Sequence, residues 1–181
     1  MINYRKAETD ADIRAIADLA SVIWHEHFTP IIGIEQVEYM LKKFQSYEAI
    51  SDAVKNGGYT YYMAEVGSAE GIGSTEGIGS AEGNGSKLAG YLGAHPDADN
   101  VFLSKIYVER SHRRRGIASA MLDMVKSDFA DKDYMWLTVN RNNDIAVSTY
   151  NALGFDLWRE QVSDIGNGFV MDDYVFRYDL K

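Results

Sequence analysis

The sequence predicts a mixed α/β protein, one sheet of seven strands with helices on both faces, and three observations lead there. Apolar residues recur at helical spacing from residue 13 to residue 55, then switch to strand runs from Tyr59 onward. The apolar run 101–108 enters a turn of three arginines and a glycine, Arg113-Arg114-Arg115-Gly116, and opens into a helix. A second strand, turn and helix follows over residues 134–155.

Each element has a local reason. Tyr4-Arg5-Lys6-Ala7 continue an apolar, strand-like start, and Thr9-Asp10-Ala11-Asp12 supply capping side chains for a helix whose apolar positions are Ile13, Ile16, Ala17, Ala20, Ile23 and Trp24. Beyond Pro30 and Gly33 the pattern returns over 34–44 with Val37, Met40, Leu41 and Phe44, and a shorter helix over 47–55 is ended by Gly57-Gly58. Strands are expected over 59–66, 87–94 and 100–108, then a helix over 119–130 and a strand over 134–139. A helix opens at Asn143 and closes at Leu153-Gly154-Phe155, and strands over 155–161 and 168–180 complete the chain. The order is β, three helices, β-β-β, helix, β, helix, β-β.

Residues 67–86 stand apart. They repeat Gly-Ser-Ala-Glu-Gly-Ile, Gly-Ser-Thr-Glu-Gly-Ile and Gly-Ser-Ala-Glu-Gly-Asn. A solenoid does not result, because units so short and glycine-rich have almost nothing to bury; the composition is that of a flexible linker, here an expanded hairpin loop. Gly71-Ile72-Gly73 and Gly77-Ile78-Gly79 mimic a dinucleotide fingerprint but lack its third glycine and its helix.

Composition narrows the function. A chain of 181 residues fits one domain, and 46% hydrophobic residues suit a packed core. No apolar run approaches a bilayer span and the start is not signal-like, so a soluble, cytoplasmic protein without a membrane partner is expected. The absence of cysteine excludes disulfides, cysteine metal sites and acyl transfer through a cysteine acyl-enzyme. A net charge of −9 disfavours nucleic acid despite the arginines and would draw in a cationic small molecule. His25 and His27 lie two apart on a helix and face different ways, so no metal is expected.

The arginine turn is the most informative segment. Three cations and a glycine coincide with the unpaired N–H groups and positive dipole end of the following helix, which makes a site for phosphate. Gly116 has no Cβ to hold a ligand off, and Ala118 is nearly as small. Taken alone, three consecutive arginines read equally well as a solvated or nucleic-acid-facing patch. The pattern Arg-x-x-Gly-x-Ala, with Ile106-Tyr107-Val108 before it and Met121-Leu122 after it, resembles the acyl-CoA-binding motif of the GNAT superfamily of N-acetyltransferases. Asn143, Ala146, Tyr150, Gly154 and Phe155 stand where that family has its second block.

The resemblance, most specific over residues 101–155, implies a mostly antiparallel GNAT fold whose fourth and fifth strands splay apart to admit acetyl-CoA as co-substrate. The pyrophosphate would lie on the backbone of Arg114, Arg115, Gly116, Ile117, Ala118 and Ser119, with Arg113 and its neighbours adding charge-assisted bonds. The pantetheine arm would pair with the open edge of 105–108, which includes Ile106, Tyr107 and Val108. Asn143 would bond the same arm, though its residue type alone makes it an N-cap, and both roles are compatible. Tyr150 alone reads as a core residue of an amphipathic helix; in the family the matching tyrosine protonates the departing thiolate.

Spacing does not single out a general base among Glu26, Glu35, Glu109, His25, His27 and His112, and a water relay would need none of them directly. For the acceptor, Trp24, His25, Phe28 and Tyr39 are expected as an aromatic wall, with Glu26, Glu35, Glu38, Asp172 and Asp173 to receive a cation; each reads as well as core or solvated surface. Residues 163–174 are similar to the ending of bacterial polyamine-acetyltransferase-like members. The expected activity is direct acetyl transfer to a primary amine, a polyamine or other small cation. A protein N-terminus or lysine, and a non-catalytic acyl-CoA-binding regulator, are the alternatives, and homodimerisation is left open.

Overall fold

Thr9 and Asp12 close the first helix reciprocally: the Thr9 hydroxyl accepts from the Asp12 N–H at 3.1 Å, and the Asp12 carboxylate accepts from the Thr9 N–H at 2.9 Å. In the computed structural model, which describes residues 1–67 and 86–181, β1 (Ile2–Lys6) leads into this helix, α1 (Asp10–His27). Next come α2 (Thr29–Ile32), α3 (Ile34–Met40), a π-helical turn (Leu41–Gln45) and α4 (Tyr47–Lys55). The remaining elements are β2 (Thr60–Gly67), β3 (Ser86–Pro96), β4 (Asn100–Val108), a 3₁₀ turn (Arg110–His112), α5 (Ile117–Asp128), β5 (Tyr134–Asn140), α6 (Asp144–Ala152), β6 (Asp156–Gly166) and β7 (Phe169–Asp179).

The expected order is found, with two differences on the helical side. The helix predicted over 34–44 widens into the π turn at Leu41, and α2, begun at Pro30, is too short to show a period. β6 also runs past its predicted end at residue 161 to Gly166, because this edge strand is largely exposed and carries no clean alternation.

The strands form one sheet in the order β1-β2-β3-β4-β5-β7-β6, antiparallel except between β4 and β5. Alternation along the central strands feeds two cores. Tyr62 and Ala64 of β2 pack with Met121, Leu122 and Val125 of α5 on one face, whereas Tyr61 and Met63 pack with Ile16, Ile23 and Ile50 of α1 and α4 on the other.

The repeat predicted as a hairpin loop lies, apart from Gly67 and Ser86, outside the described residues. Those two are directly paired across β2 and β3, so the strands meet in hairpin register. Replacing residues 68–85 with Asn-Gly is therefore expected to leave kcat and thermal stability within experimental error. Steady-state kinetics and a melting curve check this; a collapse of activity would give the segment a part in the site.

Candidate active site

β4 and β5 stay together only while Asn100, Val101 and Phe102 face Tyr134, Met135 and Trp136. Beyond Phe102, β4 remains paired to β3 as far as Val108, and β5 remains paired to β7 as far as Asn140. The facing edges of both strands are thus left without strand partners in the middle of the sheet, which a polar chain can use. A cleft of about 1310 Å³ runs through this V and is reached from both helical layers. The splayed pair is the one the resemblance implied.

At one end lies the arginine turn. Gly116 (φ 76°, ψ 7°) and Arg114 (φ 60°) are both left-handed, a conformation of the kind that gathers successive N–H groups into one concavity. Gly116 occupies the cap position of α5, and no side chain caps that helix. Beyond its chain neighbours, a Cβ built on Gly116 meets no described atom within 4 Å, and Gly116 borders the cleft. The geometry fits an anionic group. Arg113, Arg114, Gly116, Ile117, Ala118 and Ser119 all border the cleft, as do Ile106, Tyr107 and Val108. Arg115 does not: its guanidinium lies 3.1 Å from His112 Nδ1. Arg113 is occupied structurally too, since its Nε donates to the Val108 carbonyl at 3.0 Å and so ties the turn to the strand end.

Across the V stands α6. Asn143 caps it, its Oδ1 accepting from the Ala146 N–H at 3.2 Å, and the same oxygen lies 3.3 Å from His27 Nε2. This contact joins α1 to α6, and no local pattern could have shown it. Burial lowers the His27 pKa, Asn143 opposes this, and Arg113 adds to it. Tyr150, about two turns beyond Asn143 along α6, leans on Phe155 and Phe176 at ring separations of 5.8 and 6.4 Å and borders the cleft. It is both a core residue and a cleft residue. Burial pushes its phenol well above its ordinary range, so it holds its proton throughout neutral and mildly alkaline pH.

On the α1 side of the sheet the cleft broadens into an aromatic basin. Trp24 and Phe28 stack at 4.4 Å and each meets Tyr107 at 5.9 Å, as expected of a wall. The other two aromatic candidates stand elsewhere. His25 is on the exposed face of α1, bound to Glu38 at 2.7 Å, and Tyr39 donates to the Ile165 carbonyl at 2.6 Å while packing on Phe169. Met40, the last residue of α3, enters instead, with Phe44 and Gln45 delivered by the unforeseen π turn.

Of the acidic residues expected to receive a cation, only Asp173 borders the cleft. Glu26 and Glu35 point to solvent, Glu38 serves His25, and Asp172 pairs with Arg141 at 3.0 Å. Asp173 is 3% exposed, and its Oδ1 is buried without a hydrogen-bond partner. Burial pushes its carboxyl up to about 6, Thr138 partly offsets this, and the like charge of Asp172 adds to it. The candidate bases sort similarly: His27 and His112 reach the cleft, whereas Glu26, Glu35, Glu109 and His25 do not. Among the described residues no cluster of three or more His, Asp or Glu side chains is placed to hold a metal ion, and no helix is long and apolar enough to cross a membrane.

A splayed parallel pair with a glycine-opened helix start at its mouth defines an acyl-CoA type of transferase site. The chain belongs to the acetyltransferase (GNAT) family, whose sequence model matches residues 43–155. No curated protein matches the sequence. Among solved structures it is similar to the PaiA N-acetyltransferase of Thermoplasma acidophilum in complex with coenzyme A, with a TM-score of 0.72, 17% identity and 99% of each chain covered. It is also similar to NAA60 of Arabidopsis thaliana in complex with a bisubstrate analogue, with a TM-score of 0.66, 20% identity and 99% and 98% of the two chains covered. A third is the ribosomal-protein-S18-alanine N-acetyltransferase of Escherichia coli, with a TM-score of 0.62, 17% identity and 99% and 94% covered. At these identities the likeness is one of fold.

Proposed function

We propose that residues 1–181 form one acyl-CoA N-acyltransferase domain that transfers acetyl directly from acetyl-CoA to a small primary amine. The observation that carries this is that the Gly116 concavity and the Tyr150 phenol open into one cleft through the gap between β4 and β5. Acetyl-CoA would place its phosphates on the backbone of Gly116 to Ser119, beside the Arg114 side chain, and its amide arm along the free edge of Ile106, Tyr107 and Val108. Tyr150 supplies the proton. The ammonium loses one proton by another route and the freed nitrogen bonds to the acyl carbon; as the C–S bond breaks the sulfur takes the Tyr150 proton, and the second proton that the nitrogen sheds as the amide forms returns to the phenolate, leaving free thiol, amide and an intact Tyr150.

Asp173 is that route. An ammonium of ordinary pKa holds its proton at pH 7 by roughly 4.6 kcal/mol. A buried carboxylate with an unpaired oxygen first pairs with the ammonium and then accepts one proton from it, which frees the nitrogen lone pair for attack. A polyamine acceptor, the reading that the similarity of residues 163–174 supports, asks for a carboxylate at each ammonium, and the cleft is lined by two, the buried Asp173 and the exposed Asp144. A protein N-terminus or lysine remains the second kind of amine, and a silent acyl-CoA-binding protein would have no use for Tyr150 or Asp173 where they stand.

Asp173 gives the reading a pH test. With its carboxyl raised to about 6 in the fold and ordinary when unfolded, its stabilising share is complete below about pH 4, declines as pH rises and is gone above about pH 6. Asp173→Asn is expected to raise stability at pH 8 by roughly 1–3 kcal/mol, from the linkage of that shift. The same change should lower kcat/KM at least about tenfold and remove an acidic limb near pH 6. Denaturant melts and a pH–rate profile check both; an unchanged limb would move the base elsewhere, His27 first.

A further inference from the structure

Resting on the transferase reading above, we propose that the acceptor is a primary amine that also carries a carboxylate, an amino acid in chemical class, whose anion is held by Lys105 while its amine faces the β4–β5 gap.

Lys105 sits on β4 inside the cleft. Its ammonium lies 5.4 Å from the ring centroids of both Tyr59 and Tyr61, and among the described residues its one polar contact is the Ser104 hydroxyl at 3.3 Å. Five of the other lysines, Lys6, Lys55, Lys126, Lys132 and Lys181, each reach an aspartate, and Lys43 donates to the Ile165 carbonyl. Lys105, enclosed by aromatic rings, meets no carboxylate among the described residues. Burial alone acts on it and brings it down to about 8, so at neutral pH it is still mostly charged. A half-buried ammonium with two ring faces and one hydroxyl for company is poorly compensated, and an arriving anion would complete it.

The anion is not the coenzyme's phosphate. Those groups belong at the Gly116 turn, beyond Val108, and Val108 is already three residues, about 10 Å of strand, from Lys105. The sheet also assigns Lys105 to the acceptor side. Gly93 pairs with Lys105 but Ala94 pairs with Leu103, leaving Ser104 as a bulge that reverses the alternation. Leu103 therefore packs in the α5-side core, whereas Lys105 and Tyr107 share the face of α1 and α4, and the Asp173 charge acts on Tyr107 from the other side. Around Lys105 the cleft is lined by apolar side chains such as Met40, Phe102 and Trp136.

Matched substrates test this. Leucine and phenylalanine are compared with their amides, and with spermidine, by thiol release from acetyl-CoA with wild type and Lys105→Met. Calorimetry of N-acetyl-leucine and its amide on the coenzyme A complex gives a readout independent of turnover. The expected result is a preference of about tenfold or more for the acid in kcat/KM, carried by KM, that collapses in Lys105→Met together with N-acetyl-leucine binding. Lys105→Arg should restore part of the preference, which separates a charge effect from a folding defect. Amides or spermidine used as well as the acids, or a preference that survives Lys105→Met, would overturn the anion subsite and leave the transferase standing. If no amine is acetylated, the transferase reading falls, and the subsite is judged on calorimetry: it stands if N-acetyl-leucine binds wild type but not Lys105→Met, and falls otherwise.

Discussion

Tyr150→Phe is expected to lower kcat by about 10²-fold while acetyl-CoA affinity and the melting temperature hardly move. The ring makes its contacts with Phe155 and Phe176 through carbon, so phenylalanine keeps the packing and loses only the hydroxyl. What disappears is the proton that the sulfur takes as the C–S bond breaks. Because burial raises the phenol, wild type should show no alkaline limb from Tyr150 in the accessible range, and the variant should be slow at every pH. Single-turnover thiol release, which isolates chemistry from product release, is the measurement. A variant that turns over normally there would make Tyr150 packing alone.

Gly116→Val should weaken coenzyme A binding by about 10²-fold or more. A Cβ at Gly116 meets no described atom within 4 Å beyond its immediate backbone surroundings, so the valine side chain extends into the space where the phosphate would sit. A left-handed valine also costs roughly 1–2 kcal/mol, which a domain of ordinary stability survives. Calorimetry with coenzyme A and a melting curve separate the two effects, and Gly116→Ala should fall between. Undiminished affinity in a folded valine variant would place the phosphate elsewhere.

The readable parts of this chain were those set by local chemistry. Thr9 and Asp12 announce a helix start, Gly116 a left-handed helix start, and the runs around Tyr62, Leu92 and Leu137 the strands, because capping and alternation act over a few residues. What stayed hidden was set by register and by distance. Strict alternation from Val101 and Leu103 puts Lys105 into the α5-side core, and only the bulge at Ser104 turns it to the cleft. Asp173 was visible as an acidic residue in an acidic segment, but its isolation from Asp172, Glu38 and Glu35 depends on which face of β7 meets the gap. The π turn behind Phe44 and Gln45 has no signature in the spacing, and the meeting of His27 with Asn143 spans 116 residues. Arg115 carries the same charge as Arg114 and differs only in its direction.

Direct transfer through the β4–β5 gap is tested most plainly by initial rates. The purified protein is incubated with acetyl-CoA and a panel of amines, and thiol release is followed together with the masses of both amine and protein. Acetylated amine should form in one-to-one ratio with free thiol, the rates should fit a ternary complex with intersecting lines, and the protein mass should stay unchanged with acetyl-CoA alone. Parallel lines with an acetylated protein intermediate, or coenzyme A binding without acetylation of any amine in the panel, would contradict the account.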